Sequence, residues 1–254
     1  MNTKSQSATS KALNGSSSRG MWMTLTAIAG IIVIAVVAVV VAAQNEIGPF
    51  KREAVSLNFA ETADPQISIS DQGAVTVGNP DAPKIDVWED FMCPACGQME
   101  QKYGEQLTEA ITAGDLQVVH HYVNFLDQQS AQGDYSTRMI AASQCVAVNE
   151  DLQTYLDARS TWFTNQPAEG GGDRTQSEIA EDAKSAGAGD ESTKCIEGIG
   201  AEGGDNLDKA SETATVSQQA LQDSKFDMAT PTVAKDGEKL EIGDPTWIQK
   251  AMAA

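Results

Sequence analysis

The tetrapeptide Cys93-Pro94-Ala95-Cys96 constrains this chain more than any other part of its sequence. It follows the β-prone residues 85–88 and opens a segment of helical character that ends near residue 113. A helix N-terminus has unpaired N–H groups and partial positive charge, which stabilise a thiolate, and a proline fits its first turn. The motif therefore predicts a redox-active pair at a strand-to-helix junction. We expect Cys93 to be the exposed, attacking sulfur and Cys96 the more buried, resolving one.

The same motif could instead be half of a zinc site or a purely structural pair. A structural zinc site needs four ligands, and the sequence contains no second CxxC. The two histidines, His120 and His121, are neighbours on a predicted strand, so their side chains point to opposite faces of the sheet. We expect one to be packed and the other to lie at the surface. The sequence therefore predicts no metal ion and no cofactor.

The first 65 residues predict a membrane anchor and a linker. Residues 21–43 carry no charge and are dominated by Ala, Val and Ile, which reaches the ~20 residues that a spanning helix needs. Residues 1–20 contain three bases and no acid, so the positive-inside rule predicts a cytoplasmic N-terminal segment, a single transmembrane helix and an extracytoplasmic remainder in the cell membrane. A cleaved signal peptide is the alternative, but its apolar region would span only ~7–15 residues. Residues 44–65 show no sustained periodicity and are predicted to be a linker.

The chain is strongly acidic, with a formal net charge of −19. A field of this sign repels nucleic acid and anionic lipid. We interpret the charge as a solvated surface and expect no nucleic-acid partner.

Beyond the linker, the pattern predicts an α/β domain that a helical insertion divides in two. The first part is residues 66–130, the insertion is residues 131–220, and the second part is residues 221–254. Strands are predicted at residues 66–70, 84–88 and 116–125, with the last two parallel across the helix that joins them. Helices are predicted in the insertion at residues 137–148, 151–163, 176–186 and 206–221, followed by a hairpin at 232–242 and a helix at 246–252.

A second motif, at residues 229–233, follows the predicted insertion. The run Ala229-Thr230-Pro231-Thr232-Val233 precedes a Lys-Asp-Gly turn, and Trp88-Glu89-Asp90-Phe91 precedes the CxxC. Together these features resemble a DsbA-like thiol–disulfide oxidoreductase of the membrane-anchored bacterial type, from about residue 73 to the C-terminus. The resemblance implies a thioredoxin-like fold with an inserted helical domain, here preceded by the predicted transmembrane helix.

The resemblance also assigns roles to Thr230 and Pro231. It implies that the Thr230–Pro231 peptide bond is cis, which is uncommon, and that Pro231 lies against the disulfide. Thr230 would then offer backbone hydrogen bonds to an extended substrate. An ordinary strand-entry proline is the alternative. Related proteins often bury an acid six residues before the first cysteine, where this chain has Val87; a nearby acid could substitute, and the candidates are Asp86, Glu89 and Asp90.

Two cysteines remain, Cys145 and Cys195, and both lie in the predicted insertion. In an oxidising compartment they are expected to form a structural disulfide with each other. Some membrane-anchored relatives in single-membrane bacteria carry such an extra disulfide, so the resemblance agrees. A second redox pair that relays electrons is the alternative.

These features predict an extracytoplasmic enzyme that donates the Cys93–Cys96 disulfide to reduced exported proteins. The resemblance implies a membrane electron acceptor of the DsbB or vitamin K epoxide reductase type. The same fold could instead act as an isomerase or a reductase, for instance in cytochrome c maturation, although isomerases usually carry a dimerisation segment that we do not find. A binding module with two structural disulfides is the remaining alternative.

Overall fold

Six strands form one mixed sheet. The structure is a computed structural model and describes residues 52–59, 62–64 and 66–253. In this part of the chain the sheet order is β1-β2-β4-β3-β5-β6. The strands are β1 Ile67–Ile69, β2 Val75–Val77, β3 Lys84–Glu89, β4 Gln117–Tyr122, β5 Thr232–Lys235 and β6 Glu238–Lys239. An α/β thioredoxin-like fold is therefore confirmed.

The central strands β3 and β4 are parallel, as predicted, and helix α1 (Pro94–Thr112) connects them. Their register pairs Val87 with His120 and Glu89 with Tyr122. Side chains two residues apart in a strand share a face, so these four residues lie on one face of the sheet.

Six further helices follow in the described chain. They are α2 Tyr135–Asn149, α3 Leu152–Thr164, α4 Gln176–Ser185, α5 Asp190–Glu197, α6 Asn206–Asp223 and α7 Trp247–Met252. Helices α1 and α3 cover the face that carries Glu89, because Glu100 of α1 and Arg159 of α3 reach the centre of that face. Helix α6 covers the opposite face, where Trp88 Nε1 donates to the Ser217 carbonyl at 3.1 Å. The active-site helix thus lies beside the inserted helices.

A two-residue turn closes the sheet at β5 and β6. Asp236 and Gly237 have φ values of 52° and 79°, as a type I′ hairpin requires at both central positions. The hairpin was predicted, although β6 is shorter than the predicted second strand.

Two predictions of secondary structure were wrong by omission. The strand β2 lies between turn-forming sequences, and its three residues are too few to establish alternation. The helix α5 begins with acidic residues after Gly189 and has only eight residues, so its period is equally short. Both elements are held by tertiary contacts more than by local pattern.

The predicted linker, residues 44–65, falls partly within the described chain. There, Leu57 is buried, its carbonyl accepts a hydrogen bond from Lys209 Nζ at 2.5 Å, and Ser56 donates to Asp205 at 2.8 Å. This segment therefore lies on α6 and does not run free. The predicted segments 1–20 and 21–43 lie outside the described residues. Within the described ranges, no helix combines the length and apolar character needed to cross a membrane.

Cys145 of α2 and Cys195 of α5 are joined by a disulfide with a Cα–Cα distance of 5.8 Å. Both cysteines are buried, and the bond ties a short helix to the most deeply buried helix of the insertion. Removing the cross-link enlarges the conformational freedom of the unfolded chain.

We expect the double variant Cys145→Ser/Cys195→Ser to lose about 4 kcal/mol of unfolding free energy, the loop-closure value for a separation of 50 residues. Urea unfolding under non-reducing conditions measures the loss. A change below about 1 kcal/mol would contradict a stabilising role for this bond, because native disulfides typically contribute ~2–5 kcal/mol.

Candidate active site

The CxxC motif lies where β3 ends and α1 begins. Cys93 is the N-cap residue of α1, with φ −72° and ψ 118°, and Pro94 occupies the first helical turn. Pro94 and Ala95 are exposed, whereas Cys96 faces the interior one turn later and is fully buried. Cys93 is only 9% exposed, less than predicted, but it is the more accessible of the two sulfurs.

The surroundings of the two sulfurs drive their ionisation in opposite directions. A hydrogen bond from the Cys96 thiol, assisted by Thr230 and by the backbone N–H groups of Ala95 and Cys96, overcomes partial burial and lowers the pKa of Cys93 to about 6. Burial raises the pKa of Cys96 well above its usual range, and the hydrogen bond to Cys93 and the charge of Glu89 raise it further. At neutral pH the reduced pair is therefore a Cys93 thiolate beside a Cys96 thiol.

The segment before β5 lies against Cys93. The Thr230–Pro231 peptide bond is cis, and the Thr230 carbonyl lies 3.4 Å from Cys93 Sγ. Thr230 and Pro231 are both half-buried, and the Thr232 hydroxyl donates to the Ala229 carbonyl at 2.8 Å, which closes the turn. The two motifs that are distant in sequence thus meet at one sulfur.

Gln166, in the loop after α3, binds the backbone at the start of the CxxC motif. Its Nε2 donates to the carbonyls of Phe91 and Cys93, each at 3.1 Å. A Cβ at Gly97 would lie 2.0 Å from Gln166 Oε1, so glycine at this position allows the close approach. Sequence reasoning did not find Gln166, because nothing marks one loop amide among many.

The position six residues before Cys93 is Val87, which carries no acid and is buried in the sheet. Of the three candidate substitutes, Asp86 lies on the opposite face, where its carboxylate contacts His121 Nε2 at 2.8 Å. Glu89 and Asp90 are both fully buried near the cysteines. Two acids therefore lie close to the motif.

Glu89 belongs to a buried ionic cluster, which consists of Glu89, Glu100, His120 and Arg159. Arg159 donates to Glu89 at 2.5 Å and also to Glu100, and His120 Nδ1 lies 3.1 Å from Glu89 Oε2. Burial opposes the ionisation of Glu89, but Arg159 and His120 outweigh it and lower the pKa of Glu89 to about 2. Glu89 is therefore a carboxylate.

Asp90 has the opposite character. Burial raises its pKa to about 6, although Ser136 and the backbone N–H groups of Met92 and Leu126 all donate to its carboxylate. The hydrogen bonds measure 2.6, 2.8 and 3.0 Å. Asp90 thus fixes the backbone at Met92, just before the motif, and at Leu126, in the loop after β4, and its pKa is about 6.

His120 is the packed histidine and His121 is the one nearer the surface. His121 stacks on Trp88 with ring centroids 4.6 Å apart, on the face away from the cysteines. Across the ranges that the structure describes, no group of three or more His, Cys, Asp or Glu residues is arranged to hold a metal ion.

A DsbA-like thiol–disulfide oxidoreductase is the class of protein that this fold and site define. The thioredoxin family model matches residues 70–252, and the chain belongs to the thioredoxin family. Among solved structures, the MdbA protein of Corynebacterium diphtheriae, a thiol-disulfide oxidoreductase, is 28% identical with a TM-score of 0.61, over 73% of this chain and 93% of that one. DsbA of Mycobacterium tuberculosis is 26% identical with a TM-score of 0.51, over 71% and 98%. The expected class is thereby confirmed.

One relative is a protein kinase that is much longer than this chain. The serine/threonine-protein kinase PknE of Mycobacterium tuberculosis is 34% identical over 181 residues, which is 69% of this chain and 31% of that protein. This chain therefore spans about a third of the length of the curated relatives that it matches.

We expect the Cys93 thiolate to titrate with a midpoint near pH 6. In Cys96→Ala the midpoint should rise by one pH unit or more, because the largest stabilising contribution is the Cys96 hydrogen bond. Absorbance at 240 nm of the reduced proteins reports the thiolate. Cys93→Ser is the control and should show no transition near pH 6. An unchanged midpoint in Cys96→Ala would contradict the role of this hydrogen bond.

Proposed function

We propose that this chain is an extracytoplasmic protein-disulfide oxidoreductase that donates the Cys93–Cys96 disulfide to reduced exported proteins. The observation that carries the proposal is the placement of the two sulfurs: Cys93 is the N-cap residue of α1 and Cys96 is buried one turn later, which favours a Cys93 thiolate beside a Cys96 thiol. A pair that is stable when reduced is an oxidant when it forms a disulfide.

The reaction proceeds in two exchanges. A substrate thiolate attacks Cys93 Sγ, which is the more accessible sulfur, and forms a mixed disulfide while the Cys93–Cys96 bond breaks. Cys96 leaves as a thiolate and takes up a proton. A second substrate thiolate then attacks the substrate sulfur of the mixed disulfide, and Cys93 leaves as a thiolate. Two electrons pass from the substrate to the cysteine pair.

The loop around the cis proline is the proposed substrate site. The Thr230 carbonyl lies 3.4 Å from Cys93 Sγ, and Met228, two residues before Thr230, is 50% exposed. Met228 is the exposed large apolar side chain of the described chain, and a flexible thioether suits varied apolar partners. An unfolded segment can therefore contact Met228 while its backbone approaches Thr230. Pro94 and Ala95, which are exposed beside Cys93, complete this surface.

Turnover requires an acceptor for the two electrons. The predicted anchor at residues 21–43 and the resemblance to membrane-anchored relatives favour an acceptor in the membrane, of the DsbB or vitamin K epoxide reductase type. The same features favour a cytoplasmic N-terminus and a catalytic domain outside the cell membrane. In this scheme the Cys145–Cys195 bond is structural, since both sulfurs are buried in the helical insertion away from the CxxC motif.

The lowered pKa of Cys93 predicts how the stability of the reduced protein changes with pH. Lowering the pKa of Cys93 from 9.0 to about 6 stabilises the reduced, folded protein. For a depressed pKa this stabilisation is complete above the unfolded value and is lost as the pH falls through the folded value. The unfolding free energy of the reduced protein relative to the oxidised one should thus increase between pH 6 and pH 9, by up to about 4 kcal/mol.

Denaturant unfolding of both redox forms across this range measures the difference. The control is reduced Cys93→Ser, which should lack this pH dependence. A potential for Cys93–Cys96 near the strongly reducing value of thioredoxin, about −270 mV, would contradict disulfide donation and favour a reductase.

We expect Cys96→Ala to accumulate mixed disulfides through Cys93, because the resolving sulfur is absent. Non-reducing electrophoresis and mass spectrometry of protein purified from cells identify the trapped partners. The matched control, Cys93→Ala, should trap none. Equal trapping by both variants would show that Cys93 is not the attacking sulfur.

A further inference from the structure

The turn that carries Cys93 into α1 receives hydrogen bonds from the helical insertion. Within residues 90–93, the Cys93 N–H donates to the Asp90 carbonyl at 3.0 Å and closes the turn. The Phe91 carbonyl belongs to the central peptide of this turn, and the Cys93 carbonyl lies at its end. Backbone carbonyls in an interior need donors, and Gln166 Nε2 donates to both of these, each at 3.1 Å.

The insertion presents Gln166 to this turn in a restricted conformation. Gln166 is half-buried and is the second residue after α3. The preceding residue, Asn165, ends α3 with a hydrogen bond from its N–H to the Thr161 carbonyl at 3.0 Å. The Asn165 side chain also donates to Asp182 at 3.0 Å. Pro167 follows Gln166, and a residue before proline is confined to extended conformations. The backbone at Gln166 is therefore fixed from both sides.

The amide of Gln166 occupies space that only a glycine at position 97 leaves open. A Cβ on Gly97 would lie 2.0 Å from Gln166 Oε1 and 3.0 Å from its Cδ. The next atom, the Phe163 carbonyl oxygen, would be at an ordinary contact distance of 3.6 Å. The Gly97 N–H donates to the same Cys93 carbonyl at 3.1 Å. Gln166 thus meets α1 where its helical hydrogen bonds begin.

The position of the Cys93 backbone decides which groups its sulfur meets. As the N-cap residue, Cys93 places its sulfur near the N–H groups of Ala95 and Cys96, which help to lower its pKa. Carbonyl oxygens carry partial negative charge and oppose an anion beside them. Because the Gln166 amide donates to the carbonyls of Phe91 and Cys93, its dipole offsets that opposition.

We propose that Gln166 is a positioning residue for the thiol–disulfide exchange: its amide holds the carbonyls of Phe91 and Cys93 and so keeps the Cys93 sulfur against the N–H groups at the start of α1. This contact stabilises the Cys93 thiolate, which favours the reduced pair and makes the disulfide a stronger oxidant. The helical insertion thereby adjusts the strength of the cysteine pair. The consequence for oxidising strength rests on the proposed function, whereas the effect on Cys93 ionisation rests on the site alone.

Two substitutions at Gln166 test the proposal through the ionisation of Cys93. Gln166→Ala removes both hydrogen bonds, and Gln166→Glu keeps the shape but directs a carboxylate at the two carbonyls. Absorbance at 240 nm of the reduced proteins measures the midpoint of the Cys93 thiolate. We expect the midpoint to rise by about half a pH unit in Gln166→Ala, the order of one helix-terminus contribution. In Gln166→Glu it should rise by about one unit or more, because a negative charge is added.

The matched control is Gln153→Ala. Gln153 is an exposed amide of the same helix α3, and its side chain donates to Asp157 and not to the motif. Its substitution should leave the Cys93 midpoint unchanged. A midpoint in Gln166→Glu equal to that of the wild-type protein would overturn the proposal.

Equilibration with glutathione measures the consequence for oxidising strength. At pH 8 the equilibrium constant for oxidation of glutathione by the protein should fall about threefold in Gln166→Ala and about tenfold in Gln166→Glu. The reason is that one pH unit of thiolate stabilisation corresponds to a factor of about ten. Gln153→Ala should keep the wild-type constant. Midpoints that rise without a fall in this constant would overturn the link between Gln166 and oxidising strength.

A substitution on the other side of the contact tests the contact itself. Gly97→Ala leaves Gln166 in the chain but displaces its amide, so the Cys93 midpoint should rise as in Gln166→Ala. The double variant Gly97→Ala/Gln166→Ala should shift the midpoint no further than Gln166→Ala alone, because residues that share one interaction are not additive. Additive shifts would contradict an effect through this contact.

A measurement on the wild-type protein keeps the proposal testable if a variant does not fold. In nitrogen-15 NMR of the reduced protein, the side-chain amide of Gln166 should change with pH at the midpoint found by absorbance, and that of Gln153 should not. A Gln166 amide without this transition would overturn the proposal. Failure of disulfide donation is recognised separately, by a strongly reducing Cys93–Cys96 potential in the wild-type protein. An oxidising potential with an unchanged midpoint in Gln166→Glu removes only the role of Gln166.

Discussion

The parallel pairing of β3 with β4 is the constraint on which the candidate site depends. It places Val87 beside His120 and Glu89 beside Tyr122, on the face that α1 and α3 cover. The same strand β3 ends immediately before the N-cap residue Cys93. A shift of the register by one residue would turn the charged side chains toward the other face, so backbone pairing determines which ionisable groups surround the sulfurs.

Two neighbouring acids show how strongly the surroundings decide charge in this interior. Glu89 and Asp90 are equally buried, yet the pKa of Glu89 is lowered to about 2 and that of Asp90 is raised to about 6. The difference is Arg159, because it supplies a full positive charge to Glu89, whereas Asp90 receives only neutral donors. Burying such a cluster is costly unless each charge is paired. The inserted helix α3 thus contributes directly to the charge state of Glu89 on strand β3.

Local chemistry allowed the sequence to predict part of the site. Cys93 and Cys96 were recognisable because a CxxC at a helix start is a local pattern, and Thr230–Pro231 followed from resemblance. Gln166 and Arg159 were not, because Gln166 reaches the motif and Arg159 reaches the nearby Glu89 only through the packing of the insertion against α1. Alternation along β4 separates His120 from His121, but it does not reveal which face holds the cysteines. The short elements β2 and α5 escaped prediction because three and eight residues barely establish a period.

The Cys145–Cys195 bond affects how the protein matures. A newly made chain has four thiols, and two of them are joined by this cross-link in the fold described above. If the chain is a disulfide donor, every new copy is first a client of the activity that it will later perform. Under the proposed function, mature copies then oxidise their successors, and the supply of active protein sustains itself once the first molecules have matured.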